Sequence, residues 1–212
     1  MNLSGKKLVF LGDSITEGAG VADIANRFTE RIAAVTGAVC VNYGISGTRI
    51  AKQTAPSENP RFDLDFLSRI PDLDADADAV IIFGGTNDWG HGDAAFGSFR
   101  SRHPYTFCGA MHTMCTMLCE KFPTAQLVIL TPLHRAGEEN DSIAGFPLKQ
   151  YVDAIRDIAE YYAIPVLDLY KNSGLQPAVP VIRDMYMPDA LHPNDAGHAL
   201  LANKIVKFLE TL

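Results

Sequence analysis

The sequence lacks the two features that would direct a protein to a membrane or to nucleic acid. No apolar stretch approaches the roughly 20 residues that a bilayer-spanning helix needs. Basic residues are not in excess either, since the formal net charge is -7 and the pI is near 5.3. Because nucleic-acid affinity depends on clustered Lys and Arg, we expect neither membrane insertion nor nucleic-acid binding.

Cysteine is scarce, and its spacing excludes a zinc site. Cys115 and Cys119 are one helical turn apart, and the other two, Cys40 and Cys108, form no short pair. We expect core thiols and no metal. The acidic run between Asp72 and Asp78 lacks the sixth-position Gly and the closing Glu of a calcium loop, so it is predicted to be a solvated turn.

Repeats, low-complexity tracts and linkers are also missing. The 212 residues are 47% hydrophobic and 20% charged, which is far from the composition of a disordered chain and is enough for one core. We predict a single domain over residues 1–212. The first residues contain no apolar signal core, so a cytoplasmic location is expected. The oligomeric state does not follow from the sequence.

What the sequence does contain is a series of short, continuous apolar runs separated by stretches with helical spacing. The runs are Leu8–Leu11, Ala38–Val41, Ala79–Phe83, Leu127–Leu130 and Ile164–Leu167. Continuous runs are typical of parallel strands that are covered on both faces. Five such strands predict an α/β fold.

Helical patterns fill the gaps between these runs. The predicted apolar faces are Ile24, Phe28, Ile32 and Val35, with Gly37 ending the helix; Phe62, Phe66, Leu67 and Ile70; Met111 to Phe122; Tyr151, Ile155, Ile158 and Tyr162; and Ala199, Leu200, Asn203, Val206 and Leu209. Alternating strands and helices predict a three-layer α/β/α sandwich.

Chemically useful residues follow the strands. Gly12-Asp13-Ser14 ends the first, and the carboxyl edge of a parallel sheet is where open α/β folds hold their reacting groups. A serine there also suits a turn or a helix N-cap, so Ser14 alone decides nothing. Gly47 follows the second predicted strand and Asn87 follows the third, while His192 precedes the last predicted helix.

Taken together, these segments resemble the SGNH, or GDSL-type, serine hydrolase family. Its four blocks occur in order over nearly the whole chain: GDS at Gly12 to Ser14, the block with its glycine at Gly47, GxND at Gly85 to Asp88, and DxxH at Asp189 to His192. Each block alone is a weak signal, whereas four in order are a strong one. The resemblance implies a flavodoxin-like SGNH hydrolase fold with a five-stranded parallel sheet.

The resemblance also implies a catalytic triad of Ser14, His192 and Asp189. A serine hydroxyl needs a base to remove its proton as it attacks a carbonyl, and a neutral His192 can act as that base. Asp189 lies three residues before His192, so one turn can bring its carboxylate to the imidazole. Without the other blocks, a structural histidine and a turn carboxylate would be the favoured explanation of this pair.

The same resemblance assigns the oxyanion hole to the backbone N–H groups of Ser14 and Gly47 and to the side-chain amide of Asn87. Glycine permits close approach of a substrate, and an amide remains a donor at any ordinary pH. The competing interpretation makes Gly47 and Asn87 turn residues.

Three further residues are candidates for the substrate pocket: Asp13, Trp89 and His134. Asp13 has the stronger claim to a structural role, bonding amides in the turn of Ser14. His134 follows the fourth strand. Trp89 opens an irregular segment, Trp89 to Pro104, whose aromatic and basic residues favour a polar or sugar-like substrate, although they suit plain packing about as well.

We therefore predict a serine esterase that needs no cofactor and hydrolyses short-chain esters through an acyl-serine, with acetyl groups on a carbohydrate as one candidate substrate. Two alternatives remain open at this stage. An acyltransferase would use the same acyl-enzyme. A non-catalytic protein that binds a carbohydrate or a flavin could use the same scaffold.

Overall fold

Five parallel strands form the centre of the protein, in the order β2-β1-β3-β4-β5. The computed structural model describes residues 1–212. Its strands are β1 (Lys7–Gly12), β2 (Val39–Gly44), β3 (Ala79–Phe83), β4 (Gln126–Leu130) and β5 (Val166–Leu167). Its helices are α1 (Ser14–Glu17), α2 (Phe28–Thr36), α3 (Phe66–Arg69), α4 (Thr86–His91), α5 (Phe107–Lys121), α6 (Leu148–Tyr161), α7 (Leu169–Asn172), α8 (Pro180–Tyr186) and α9 (Asp195–Thr211).

Alternate residues of the central strands enter two apolar cores, one on each face of the sheet. Val9 and Ile82 belong to the larger core, which α3, α5 and α6 complete. Phe10 and Ile81 belong to the smaller core, which α2 and α9 cover. The predicted three-layer α/β/α sandwich is confirmed. Coverage of both faces explains the continuous apolar runs of β1, β3 and β4, whereas the edge strands β2 and β5 are only half-buried.

The strand register brings the ends of β1, β2 and β3 to one level. Gly12 at the end of β1 pairs with Gly44 of β2 on one side and with Phe83 of β3 on the other. The chain runs from β1 outward to β2 and then returns to the other side of β1 for β3. Ligands of open α/β sheets bind at such a reversal of strand order, next to the carboxyl ends.

The helix predicted from Ala22 to Val35 is shorter in the structure. Asp23 caps a separate 3₁₀ turn, Ile24–Asn26, and α2 begins only at Phe28. Phe28 and Ile32 are buried as predicted, but Ile24 is 62% exposed and Val35 is 74% exposed. Val35 is exposed because it lines an open cavity between α2 and α9 instead of packed core. Gly37 ends the helix as predicted, with φ of 73° in the left-handed region.

Two other helical faces also differ from prediction. In α9 the buried stripe contains His198, Leu201 and Ile205, one position away from the predicted stripe through Leu200. Apolar residues occupy both neighbouring faces of α9, so only the position of the sheet selects between them. The predicted helix from Phe62 to Ile70 is divided into a 3₁₀ turn (Pro60–Asp63), α3 and a second 3₁₀ turn (Ile70–Asp72).

The remaining expectations concern cysteines and acidic residues. All four cysteines are free, and Cys108 and Cys115 are buried in the larger core. The acidic run before β3 forms ion pairs with lysines, because Lys7 Nζ lies 3.0 Å from Asp74 and 2.7 Å from Asp76. None of the helices combines the length and the apolar character required to cross a bilayer.

Candidate active site

Ser14 is the first residue of a four-residue helix that begins where β1 ends. Asp13 caps this helix, because its carboxylate accepts a hydrogen bond of 3.0 Å from the Ile15 N–H. The Ser14 side chain is only 7% exposed. As the first residue of α1, its N–H has no acceptor within the helix and is therefore available to a ligand.

His192 approaches Ser14 from the other end of the chain. Its Nε2 lies 3.0 Å from the Ser14 Oγ. Its Nδ1 lies 2.7 Å from Asp189 Oδ2, while Asp189 Oδ1 accepts the backbone N–H groups of Leu191 and His192. Because a carboxylate only accepts hydrogen bonds, this arrangement assigns the proton to Nδ1 and leaves Nε2 free to accept from the serine hydroxyl.

Hydrogen bonds within the turn of Asp189 lower the pKa of its carboxyl group. Burial by itself would raise the pKa of Asp189, but hydrogen bonds from the His192 N–H, the His192 ring and the Leu191 N–H outweigh this effect and hold the pKa below its usual value. Asp189 is therefore ionised at neutral pH, and it can stabilise a proton that His192 takes up.

Asn87 follows β3 at the same edge of the sheet. Its side chain is 6% exposed, and its Nδ2 donates a hydrogen bond of 3.0 Å to the Thr48 carbonyl. An amide nitrogen carries two hydrogens, so one N–H of Asn87 remains available. The bond to Thr48 fixes the direction of that free N–H, because it holds the amide plane.

Gly47 directly precedes Thr48 and has φ of 77°, in the left-handed region. A Cβ at this position would lie 2.1 Å from a ring carbon of Phe62, so no other residue fits without displacing that ring. The Gly47 N–H has no acceptor within the protein. The structure thus brings Ser14, Gly47 and Asn87 to one edge, with His192 and Asp189 beside Ser14.

Arg69 links these strand ends through hydrogen bonds, and no pattern in the sequence pointed to it. Its guanidinium donates to the carbonyls of Tyr43 and Gly12 and to the Thr48 hydroxyl, at 2.7, 3.2 and 2.9 Å. Burial lowers the pKa of Arg69 to about 10, so the group stays charged at neutral pH. Arg69 therefore fixes the ends of β1 and β2 relative to the Gly47–Thr48 turn.

Two buried carboxyl groups lie beneath the same edge. Asp88 accepts the N–H groups of Ile50 and Ala51 at 2.9 and 2.8 Å, and burial nevertheless raises its pKa to about 6. Burial raises the pKa of Asp13 to about 7, although the Ile15 N–H and the Arg69 charge oppose it. Both side chains support the backbone around Ser14 and Gly47.

Two aromatic residues of the Trp89 to Pro104 segment, Trp89 and Phe96, are buried against protein, whereas Phe99 is 45% exposed. Trp89 is 9% exposed, its Nε1 donates to the Asn140 carbonyl, and the Arg135 guanidinium covers its ring at 4.9 Å. Phe96 packs on Phe107 and Tyr151, and Phe99 packs on His112. These contacts favour the packing interpretation of the segment over an aromatic platform for a sugar.

His134 points to a different part of the surface. Its ring bonds Glu138 at 2.7 Å and lies 3.8 Å from the Tyr170 ring, in a cavity with Lys149, Arg156 and Asp168. None of these partners contacts Ser14 or His192. The neighbouring Arg135 is the residue after β4 that the sequence interpretation missed, although it directly follows His134.

The proposed site lies outside the main cavities of the protein. None of the five best-formed cavities is lined by Ser14, Asn87 or His192, and the largest, about 820 Å³, lies between α2 and α9. No group of three or more His, Cys, Asp or Glu side chains is arranged to hold a metal ion. The arrangement can supply a nucleophile, a base and three hydrogen-bond donors at an open edge of the sheet.

Comparison with known proteins places the chain among ester hydrolases. A family model described as GDSL-like Lipase/Acylhydrolase matches residues 10–200. The chain is 26% identical to an acetylxylan esterase of Geobacillus stearothermophilus over 96% of this chain and 94% of that protein. A structure from Lactobacillus plantarum matches with a TM-score of 0.85, 30% identity and 98% coverage of both chains. A lipase/acylhydrolase from Enterococcus faecalis shares the fold, with a TM-score of 0.66, 23% identity and coverage of 97% and 96%.

Proposed function

Since the chain belongs to the GDSL-like lipase/acylhydrolase family and is thus an ester-bond hydrolase, we propose that it is a serine esterase that acts on short-chain carboxylic esters through an acyl-serine intermediate. The observation that carries this proposal is the hydrogen-bonded chain from Ser14 Oγ to His192 Nε2 and from His192 Nδ1 to Asp189. A nucleophile, a base and a group that orients the base have no common purpose in a protein that only binds.

In the proposed mechanism, Ser14 Oγ attacks the ester carbonyl carbon while His192 Nε2 takes its proton. The tetrahedral oxyanion accepts hydrogen bonds from the N–H groups of Ser14 and Gly47 and from the free N–H of Asn87. His192 then gives its proton to the leaving alcohol, and the C–O bond breaks to leave an acyl-serine. Water repeats the attack with His192 as base, which releases the acid and restores Ser14.

Two observations support a short acyl group. None of the five main cavities is lined by Ser14, so a long acyl chain has no large apolar cavity beside the proposed nucleophile. The relative from Geobacillus stearothermophilus is called an acetylxylan esterase, which supports acetyl groups on a carbohydrate as one substrate class. Hydrolysis and transfer of the acyl group to another alcohol share the same acyl-enzyme, so the acceptor has to be tested directly.

The experiment is a panel of p-nitrophenyl esters of increasing chain length together with acetylated sugars, measured for the wild type and for Ser14→Ala. We expect turnover to be greatest for acetyl and butyryl esters and kcat of Ser14→Ala to be lower by at least about a thousandfold. Added alcohols and sugars, with analysis for acylated products, test transfer. Equal, slow turnover of every ester by both proteins would refute the proposed function.

A further inference from the structure

Arg135 occupies a distinctive position beside the proposed active site. Its Nη1 donates to the carbonyl and the hydroxyl of Thr86, at 3.3 and 3.1 Å, and Thr86 directly precedes Asn87. The guanidinium carbon lies 4.9 Å from the centre of the Trp89 ring, which is a cation–π contact. The side chain is therefore held against α4, the helix that carries Asn87.

The next residue ties Arg135 to the other half of the site. The Ala136 N–H donates a hydrogen bond of 2.9 Å to the Ala190 carbonyl, in the turn between Asp189 and His192. The positive charge of Arg135 acts on the carboxyl groups of both Asp13 and Asp189. Arg135 thus lies between the segment that carries Asn87 and the turn that carries His192.

The guanidinium of Arg135 has no ion pair. None of its nitrogens lies within 4.0 Å of a carboxylate oxygen, whereas Arg156 pairs with both Asp153 and Asp168. Of the Arg135 nitrogens without a hydrogen bond, Nε is buried and Nη2 is not. Nη2 of this fixed, charged group therefore has no protein acceptor and is not fully shielded from solvent.

The three nearest carboxyl groups have other partners. Asp189 bonds His192, Asp13 caps α1, and Glu138 bonds the His134 ring and the Arg135 backbone N–H. Burial lowers the pKa of Arg135 relative to its ordinary value, so the charge is held in a partly desolvated position without a direct counter-ion. An anion that reached Nη2 would supply that counter-ion.

We propose that Arg135 recognises an anionic group, such as a carboxylate, on the ester substrate. This inference rests on the proposed esterase function and adds a specificity that neither the family nor its named relatives indicate. In a chain of net charge -7, a guanidinium without an ion pair beside the segment of Asn87 would attract an anion locally. The anionic group can belong either to the acyl part or to the alcohol part of the ester.

Two matched pairs of esters separate these sources. Monoethyl succinate against ethyl butyrate places the charge on the acyl part, and 4-acetoxybenzoate against its methyl ester places it on the alcohol part. Wild type, Arg135→Gln and Arg135→Lys are compared by kcat/KM. Arg102→Gln is the matched control, because it removes the same charge from a guanidinium that bonds only the carbonyls of Phe99 and Ser101.

We expect Arg135→Gln to lower kcat/KM for the anionic ester of at least one pair about 10- to 100-fold more than for its neutral partner, which is the range for a hydrogen bond to a charged group. Arg135→Lys should keep part of the preference, Arg102→Gln should keep all of it, and added salt should reduce it.

Three outcomes would overturn the inference. Equal losses on both esters of each pair would make Arg135 a support for Trp89 and α4 only. The same loss of preference in Arg102→Gln would assign the effect to net charge. A wild type that hydrolyses the neutral esters without preferring either anionic one would refute anion recognition and leave the esterase function intact. No turnover of any of the four esters would instead refute the proposed function itself.

Discussion

The proposed nucleophile and the proposed base are held in two different ways. Ser14 and Asn87 are 7% and 6% exposed and lie at the ends of central strands. The side chains of His192 and Asp189 are 22% and 55% exposed, on a turn that precedes the last helix. The sheet therefore fixes one half of the site, whereas local hydrogen bonds fix the other.

Because of this difference, we expect substitutions in the half around Ser14 to lower both activity and stability, and substitutions in the turn of His192 to lower mainly activity. Buried polar groups around Ser14 are hydrogen-bonded to one another: Asn87 bonds the Thr48 carbonyl, and Asp88 bonds the backbone of Ile50 and Ala51. Removing one of them leaves a buried partner without its hydrogen bond. The exposed turn has fewer such dependencies, because water can replace lost bonds there.

The largest expected effect belongs to the exposed half. In His192→Ala we expect kcat to fall by about 10⁴- to 10⁶-fold, because the serine loses its base. The free energy of unfolding should change by no more than about 1 kcal/mol, because His192 is half-buried and its bond to Asp189 lies where water can replace it. Ester hydrolysis and urea denaturation measure the two quantities. A large loss of stability would show that the turn is structurally coupled to the sheet.

In the buried half, Asn87→Ala should reduce both activity and stability. We expect kcat to fall about 100- to 1000-fold with little change in KM, because the donor acts mainly on the oxyanion. The free energy of unfolding should fall by about 1–3 kcal/mol, since the Thr48 carbonyl loses its partner in a buried place. A change confined to KM would contradict the oxyanion role. Unchanged stability would contradict the expectation that the buried half of the site contributes to stability.

The buried carboxyl of Asp13 predicts a pH dependence. Its folded pKa of about 7 exceeds the ordinary value of 3.8, so the folded protein keeps a proton that the unfolded chain releases. This contribution to stability is complete below pH 4 and is lost as the pH rises through 7. Because Asn does not titrate, the unfolding free energy of Asp13→Asn should rise relative to wild type between pH 5 and 8, by about 1 kcal/mol or more.

Asp189→Asn is the matched control for that titration. The pKa of Asp189 is lowered, so its contribution to stability is present above the ordinary carboxyl pKa and is lost only as the pH falls through the folded pKa. In a His192→Ala background, which removes the imidazole bonded to Asp189, the stability difference caused by Asp189→Asn should stay constant between pH 5 and 8. Denaturant titrations at several pH values measure both variants, and parallel trends would contradict the proposed difference.

The smallest effect concerns the backbone of the exposed turn. Ala190 has φ of 60°, in the left-handed region that costs a non-glycine residue about 1 kcal/mol. Ala190→Gly should therefore raise the free energy of unfolding by up to about 1 kcal/mol. Ala163→Gly is the matched control, because Ala163 has φ of 53° in the turn between α6 and β5. Stability should rise in both, and a fall in kcat only in Ala190→Gly would show that this conformation aligns His192.

Much of the architecture could be predicted from the sequence because it depends on local patterns. Continuous apolar runs predicted all five strands, and the spacing of Met111 to Phe122 predicted α5. A strand buried on both faces is apolar at every position, whereas a helix buried on one face is apolar at every third or fourth position. The helical faces at Val35 and Leu200 were wrong because their burial depends on what packs opposite them. A cavity faces Val35, and the position of the sheet selects one of two apolar stripes in α9.

The candidate site also combines features that follow from local sequence patterns with features that depend on distant packing partners. By itself, the sequence determined which residue types follow each strand, and hence that Ser14, Gly47 and Asn87 would share one edge of the sheet. Only the tertiary structure decided that Arg69 fixes this edge, that Arg135 covers Trp89 and that His134 points away. The physical reason is that the formation of strands and helices follows from local patterning, whereas the direction of a long side chain follows from partners that are distant in the chain.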